Sequence, residues 1–205
     1  MKSYPSIKRY RADRYLNFEG DTFAKLDGSN LRFEWNKKQG WFRFGSRRRL
    51  LETTHPIFGM AMEMFQSQLA ETFEQLAARK NWSSIMVFCE FWGEKSFAGE
   101  HQSEDPKFLT PIDVAIYKKG LMPSSEFVKE LNDQVDLHYL GHLIWNEALV
   151  EAVENSSLPG MAFEGIIGKN GAGHSRNAIK LKSKSWIEKV LSQYGELEGQ
   201  KIINS

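Results

Sequence analysis

Phe23-Ala24-Lys25-Leu26-Asp27-Gly28-Ser29-Asn30-Leu31-Arg32 is the stretch on which the reading of this chain turns. A lysine stands two residues before an Asp-Gly pair, with Ser-Asn and an arginine just after it. Asp-Gly by itself signals only a turn. An apolar–polar alternation follows at once. Leu31, Phe33 and Trp35 alternate with Arg32 and Glu34, Asn36-Lys37-Lys38-Gln39-Gly40 interrupts, and Trp41-Phe42-Arg43-Phe44 resumes. That pattern predicts a β-hairpin with a Gly-containing connection. The lysine therefore sits on a turn that feeds a strand. Beyond the hairpin come Arg47-Arg48-Arg49, where strand alternation puts Arg47 and Arg49 on one face and Arg48 on the other.

Bulk properties bound the reading. The chain has 205 residues, 41% hydrophobic and 26% charged, which suits a single domain over 1–205 with an N-terminal segment at 1–20 and a polar tail at 195–205. Net charge is +1, so any contact with nucleic acid must come from local clusters rather than from the total. Cys89 is the single cysteine, which excludes an internal disulfide and fits a reducing compartment. The start, Met1-Lys2-Ser3-Tyr4-Pro5, has no apolar segment after it, and no apolar run approaches ~20 residues. The expectation is a cytoplasmic monomer without a membrane anchor.

Around the hairpin, Arg9, Arg11 and Arg14 alternate with Tyr10 and Tyr15. This is either a solvated terminus or a basic-aromatic rim for a polynucleotide. Phe58, Met62, Phe65, Leu69, Phe73 and Leu76 recur at helical spacing, which predicts one helix over 57–80 ending in Arg79-Lys80. Residues 83–92 read as a buried strand that carries Glu90, and 110–117 as a second that carries Asp113. A carboxylate in so apolar a run is costly unless it is bonded or functional. The polar loop 93–106 between them holds His101 and Asp105. Ser124 caps a short helix and Asn146 opens another. A strand over 161–168 contains Glu164-Gly165, a turn covers 170–173, and the strand 177–183 carries Lys180 and Lys182 on one face. Residues 186–194 are helical and the remainder is tail. Hairpins with a few helices make the class α+β.

Four stretches then stand in order: Lys25-Leu26-Asp27-Gly28; Phe88-Cys89-Glu90-Phe91-Trp92-Gly93; Glu164-Gly165-Ile166-Ile167-Gly168-Lys169; and Lys180-Leu181-Lys182. In this order they resemble the covalent nucleotidyltransferases, the superfamily of polynucleotide ligases and mRNA capping enzymes. Within it the chain looks most similar to ATP-dependent RNA ligases of the T4 RNA ligase 2 type. Gly28-Ser29-Asn30, the strand Val87-Phe88-Cys89-Glu90-Phe91, and Thr110-Pro111-Ile112-Asp113-Val114 carry that similarity. The resemblance implies an ATP-grasp-like ligase adenylation fold, with antiparallel sheets and flanking helices. It also implies a lysyl-AMP intermediate and joining of 5′-phosphate to 3′-hydroxyl ends of RNA, in a nicked duplex or an RNA/DNA hybrid among others. The resemblance further implies ATP as the nucleotide and Mg²⁺ or Mn²⁺ as the metal.

By the same resemblance, Lys25 is the nucleophile. Lys180 and Lys182 lie beside it, where nearby cations favour the neutral amine, and grip the α-phosphate. Glu164 is a catalytic and metal-side carboxylate, and Glu90 accepts from the ribose. Asp27 and Gly28 shape the nucleotide loop, and Asn30, Arg32 and Arg47 belong to the ATP site. Lys169 meets the nucleotide or the incoming 5′-phosphate. Ile112 stands against adenine, where the family has an aromatic, and Ala24 replaces a frequent Glu. The 23 residues after Lys182 are expected to be too few for an OB-fold, leaving a stand-alone core. The alternatives are a DNA or mixed nick ligase and a non-catalytic nucleotide- or RNA-end-binding module. Asp113 is equally a structural acid paired to arginine, and His138 and His142 read as surface residues rather than metal ligands. Cys89 reads as a small buried residue.

Overall fold

The computed structural model describes residues 3–204. They form two compact units, one of residues 3–5, 28–137 and 171–176, the other of residues 6–27, 138–170 and 177–204. Each has its own five-stranded sheet, and the class is α+β as expected.

The first unit holds β3 (Gly28–Asn36), β4 (Gly40–Ser46), β5 (Ser84–Gly93), β6 (Lys107–Ile116) and β7 (Gly120–Leu121), in the order β4-β3-β5-β6-β7 and antiparallel throughout. The predicted hairpin is β3–β4. Asn36 Oδ1 accepts the Lys38 and Gln39 amides at 2.9 and 3.0 Å, and Gly40 takes φ +67°, which closes the turn. Alternation splits the sheet into two faces. Leu31, Phe33, Val87, Cys89 and Phe91 lie on the apolar face, each at most 1% exposed. Helices α2 (Gly59–Gln68) and α3 (Ala70–Arg79) bring aromatics to the same core. Phe65 stacks on Phe33 with ring centroids 3.9 Å apart, and on Phe73 at 6.3 Å.

The single helix expected over 57–80 is thus two, broken at Leu69 (φ −125°, ψ −30°). The apolar stripe survives the break because the Leu69 amide still bonds Phe65 O, and Phe73 N–H still bonds Leu69 O. Helix α4 (Ser124–Leu131) starts where expected, but its cap is Pro123, with no side-chain cap. Arg47, Arg48 and Arg49 are not in a strand. Gly45 bridges Leu50 and Ser46 N–H bonds Arg49 O at 2.9 Å, so the chain turns there and the expected face sharing does not apply.

The second unit holds β2 (Phe18–Ala24), β8 (Tyr139–Trp145), β9 (Gly165–Asn170), β10 (Asn177–Lys182) and the two-residue β1 (Lys8–Arg9), in the order β1-β10-β9-β2-β8. One face packs Phe18, Trp145, Val153, Ile166, Ile179 and Leu181 into a core closed by α5 (Glu147–Glu154). Asn146 caps α5 by accepting Leu149 N–H, as its sequence position suggested. Gly168 is required there, since a Cβ would lie 2.7 Å from the Trp145 ring. The expected strand over 161–168 begins only at Gly165, so Glu164 stands just before β9 rather than inside it.

The stretch expected as a polar tail is helical up to Asn204. Helix α6 (Lys184–Asn204) runs through it with a break at Gly195 (φ 72°), and Ile203 is 1% exposed. The short helix α1 (Ala12–Tyr15) precedes β2. Among the described residues, no helix is long and apolar enough to cross a membrane.

Candidate active site

The second unit gathers the lysines. β2 ends at Ala24, and Lys25 N–H is held by Gly165 O at 2.8 Å, which fixes the lysine backbone at the start of β9. Lys180 and Lys182 alternate onto the face opposite the core, as predicted, because Ile179 and Leu181 fill that core. Lys169 on β9 shares the lysine face, since its strand neighbour Ile167 pairs with Lys180.

Glu164 joins two of the lysines. Lys25 Nζ donates to its Oε2 at 2.7 Å, and Lys182 Nζ lies 3.0 Å from its Oε1. Glu164 is 4% exposed, Lys182 5% and Lys180 6%, whereas the Lys25 side chain keeps 18% of its surface. Burial holds the Lys182 ammonium below the ordinary lysine range, an effect that Glu164 opposes and the nearby Lys25 charge reinforces.

Two residues that the sequence motifs did not single out complete this cluster. Trp186 donates its indole N–H to Asp27 Oδ2 at 2.7 Å, and its ring lies 4.0 Å from Lys182 Nζ. Phe23 lies under Lys169, whose Nζ stands 4.7 Å from the ring centroid. Trp186 reads in the sequence only as one apolar position of a helix. Phe23 stands two residues before the lysine, on the same strand face, which is the signal that could have found it.

The first unit gathers a different set on the polar face of its sheet. Asn30 pairs in register with Glu90, Arg32 with Phe88, and Glu90 in turn with Thr110. A β-bulge follows, in which Cys89 pairs with Pro111 and Phe88 with Asp113, so Ile112 is the extra residue. Counting alternation through the bulge places Ile112 and Asp113 side by side on the face of Asn30, Arg32 and Glu90. Arg32 is 5% exposed and its Nη1 donates to Arg47 O at 3.4 Å; burial lowers its pKa. Asn30 Oδ1 is buried with no hydrogen-bond partner among the described residues. Gly28 has no room for a side chain, since a Cβ would meet Phe91 O at 2.2 Å. Arg47 lies in the exposed turn after β4.

The remaining candidates have structural partners. Asp113 is fully buried, accepts Tyr4 O–H at 2.6 Å and is paired to Arg176 at 2.9 Å, so it is the arginine-paired acid of the two readings. His101 lies between Ser29 Oγ at 2.9 Å and Ser96 Oγ at 3.3 Å, and burial lowers its pKa. Asp105 accepts the Lys95 amide at 3.0 Å and is paired with Lys107 at 3.2 Å. His142 contacts Asp21 and Glu19, while His138 offers its carbonyl to Ala24 N–H. Cys89 is buried.

The fold is shared with solved ATP-dependent RNA ligases. A Naegleria gruberi RNA ligase variant solved with ATP and Mn superposes with a TM-score of 0.63 at 17% identity, over 92% of this chain and 58% of that one. The Naegleria gruberi enzyme with pyrophosphate gives 0.60 at 17% identity, over 92% and 60%. An archaeal ATP-dependent RNA ligase gives 0.67 at 13% identity, over 93% and 50%. The chain therefore spans less than two thirds of each of these proteins. No family model and no curated protein sequence matches it.

Proposed function

We propose that this chain is the catalytic core of an ATP-dependent RNA ligase that works through a lysyl-AMP intermediate. The observation that carries the reading is the buried carboxylate of Glu164 bridging Lys25 and Lys182 at 2.7 and 3.0 Å. A partly exposed amine, a buried partner lysine and a carboxylate between them make a poor surface feature and a good nucleophile site.

In the first step the Lys25 amine attacks the α-phosphorus of ATP. The N–P bond forms as the bond to pyrophosphate breaks. The amine must give up a proton, and Glu164 Oε2 lies at hydrogen-bond distance from it. Lys182, whose pKa burial and Lys25 both lower, opposes protonation of its neighbour and offers N–H groups to the phosphate. AMP then passes to the 5′-phosphate of an RNA end, which Lys169 and Lys180 meet. In the last step a 3′-hydroxyl attacks that activated phosphate and AMP leaves. Asp27, fixed by the Trp186 indole, holds the turn after Lys25. In the first unit, Glu90 is assigned to the ribose, Asn30, Arg32 and Arg47 to the nucleotide, and Ile112 to the adenine face.

A Mg²⁺ or Mn²⁺ ion fits Glu164 as a single carboxylate ligand whose two oxygens already face cations. Among the described residues no group of three His, Cys, Asp or Glu side chains could cage a metal. The ion would therefore be mostly hydrated and phosphate-bound, as Mg²⁺ prefers. It would supply positive charge against the phosphate oxygens.

Incubation with α-labelled ATP and a divalent metal tests the reading. Label that stays on the denatured protein and is released by acid, as a phosphoramidate is, is expected, and it is lost in Lys25→Ala. ATP binding without label would favour a binding module, and label from GTP alone would point to capping chemistry. Sealing confined to all-DNA nicks would overturn the RNA assignment, which rests on Gly28-Ser29-Asn30 and on the RNA-ligase likeness of the fold.

A further inference from the structure

The basic run of Lys8, Arg9, Arg11 and Arg14, interleaved with Tyr10 and Tyr15, has no part in the chemistry above. The second unit's sheet gives it one. β1 pairs in parallel with β10, with Arg9 opposite Lys180 and Lys8 opposite Ile179, and Tyr10 N–H donates to Lys180 O at 2.8 Å. Directly paired residues project to the same side of a sheet. Arg9 therefore stands on the face of Lys180, Lys182 and Lys169, whereas Lys8 projects to the side of Ile179.

The tyrosines turn to the core. The Tyr10 ring lies 5.9 Å from that of Trp145, and Tyr15 packs against the same cluster. The carboxylates that raise the Tyr10 pKa, after burial, are Glu147 and Glu154 of α5, the helix on the core face. The run thus separates into rings that anchor the segment and guanidiniums that remain outside, so the tyrosines do not serve as a base-stacking platform. Arg9 and Arg14 are exposed and form no ion pair among the described residues, while Arg11 is held by Asp13 at 2.9 Å. β1 is also the edge strand of its sheet, so a polyanion on the lysine face can leave over it without crossing another strand. The inner lysines are buried, Lys169 at 2% and Lys180 at 6%, and serve a phosphate that enters the face. Arg9 is an exposed cation at its rim.

We propose that Arg9, with Arg14 following it, contacts the backbone phosphates of the RNA strand whose 5′-phosphate meets the lysine face. This rests on the ligase reading of that face. The contact is one of charge, so it carries affinity and little sequence preference.

The test measures binding of a fluorescent, 5′-phosphorylated single-stranded RNA of about 20 nucleotides against salt concentration. The proteins are the wild type, Arg9→Gln/Arg14→Gln, Arg9→Lys/Arg14→Lys, and Arg48→Gln/Arg49→Gln, which removes exposed arginines of the first unit. Each lost phosphate contact on a single strand flattens the log–log salt slope by about 0.7. The glutamine pair at 9 and 14 is expected to flatten it by about 1.4 and to raise KM for the RNA end about tenfold, with kcat within about twofold. The lysine pair should restore the slope. An unchanged slope in the 9/14 variant, flattening found only in the 48/49 variant, or no RNA binding by the wild type would each overturn the proposal. Failure of the ligase reading looks different. The wild type would take no label from ATP, while the slope would still depend on Arg9 and Arg14, leaving them as contacts of an RNA-binding protein.

Discussion

Glu164 gives each of its two oxygens to a different lysine, and a buried carboxylate so placed has two uses. It offsets the cost of burying Lys182 and it stands at the amine of Lys25. Two histidines outside this cluster, His101 and His142, are set by their surroundings in opposite senses. His142 has its ordinary value of 6.5 raised, first by its hydrogen bond to Asp21 and further by Glu19. Its stabilising contribution is complete below 6.5 and is lost as pH rises through the raised value. His101 has the same ordinary value lowered, first by burial and then by the Lys107 charge. Its neutral ring suits the fold, so its contribution is present above 6.5 and is lost as pH falls, when the unfolded chain takes up the proton first. Thermal melts between about pH 5 and about pH 9 should separate the two. His142→Ala should lose stability against the wild type mainly at the acid end, and His101→Gln mainly at neutral and alkaline pH. Parallel shifts for both would refute the assignment of opposite signs.

At the scale of elements, the β6 bulge decides what Ile112 can touch. Pro111 has no N–H to give, and the strand absorbs it with the extra residue, which brings Ile112 and Asp113 onto one face. Glu90 lies two strand positions from Phe88 on that face, and in the proposed nucleotide site Ile112 is assigned to the base and Glu90 to its ribose. Ile112→Phe should then lower KM for ATP severalfold in the self-labelling reaction. An unchanged KM would remove Ile112 from the base. The hairpin and the face shared by Lys180 and Lys182 were legible in the sequence because their alternation is clean, and β5 and β6 because they are apolar runs joined by a polar loop. β2 and β8 were not. Phe18–Ala24 is buried on both faces and contains Gly20 and Asp21, so alternation is lost, and Gly141 and His142 blur Tyr139–Trp145 in the same way. The break at Leu69 leaves the apolar stripe in phase and so leaves no trace in spacing. The helix beyond Gly195 has few apolar residues, and of these Leu197 is exposed while Ile203 is buried, so no apolar stripe marks it. The lysine cluster was legible as three of the four motifs, the fourth being the Glu90 strand of the first unit. Trp186 was not, because its bond to Asp27 joins residues far apart in sequence and belongs to no local pattern.

At the scale of the whole molecule, the chain passes between its two units at 5/6, 27/28, 137/138, 170/171 and 176/177, so neither unit is one continuous segment. The first unit depends on this at Asp113. Its carboxylate is fully buried, and two side chains that hold it come from outside residues 28–137: the Tyr4 hydroxyl at 2.6 Å and the Arg176 guanidinium at 2.9 Å. Arg176 also donates to Met122 O, which ties the 171–176 segment to the start of α4. The Tyr4 pKa is raised well above its usual range, first by burial and then by the Asp113 charge, so the phenol stays a donor at any working pH. Removing one partner of a buried ion pair leaves an uncompensated charge and costs about 3–5 kcal/mol, whereas removing both charges costs much less. Arg176→Met should therefore destabilise the full chain by about that amount in urea melts. Adding Asp113→Asn to Arg176→Met should recover more than half of the loss, because the charge left without its counter-ion is gone. Additive losses would mean that Arg176 contributes by packing alone. Recovery would show that two short segments remote in sequence from 28–137 supply the counter-charge and the hydrogen bond that let the polar face of the first sheet keep a buried carboxylate beside Ile112.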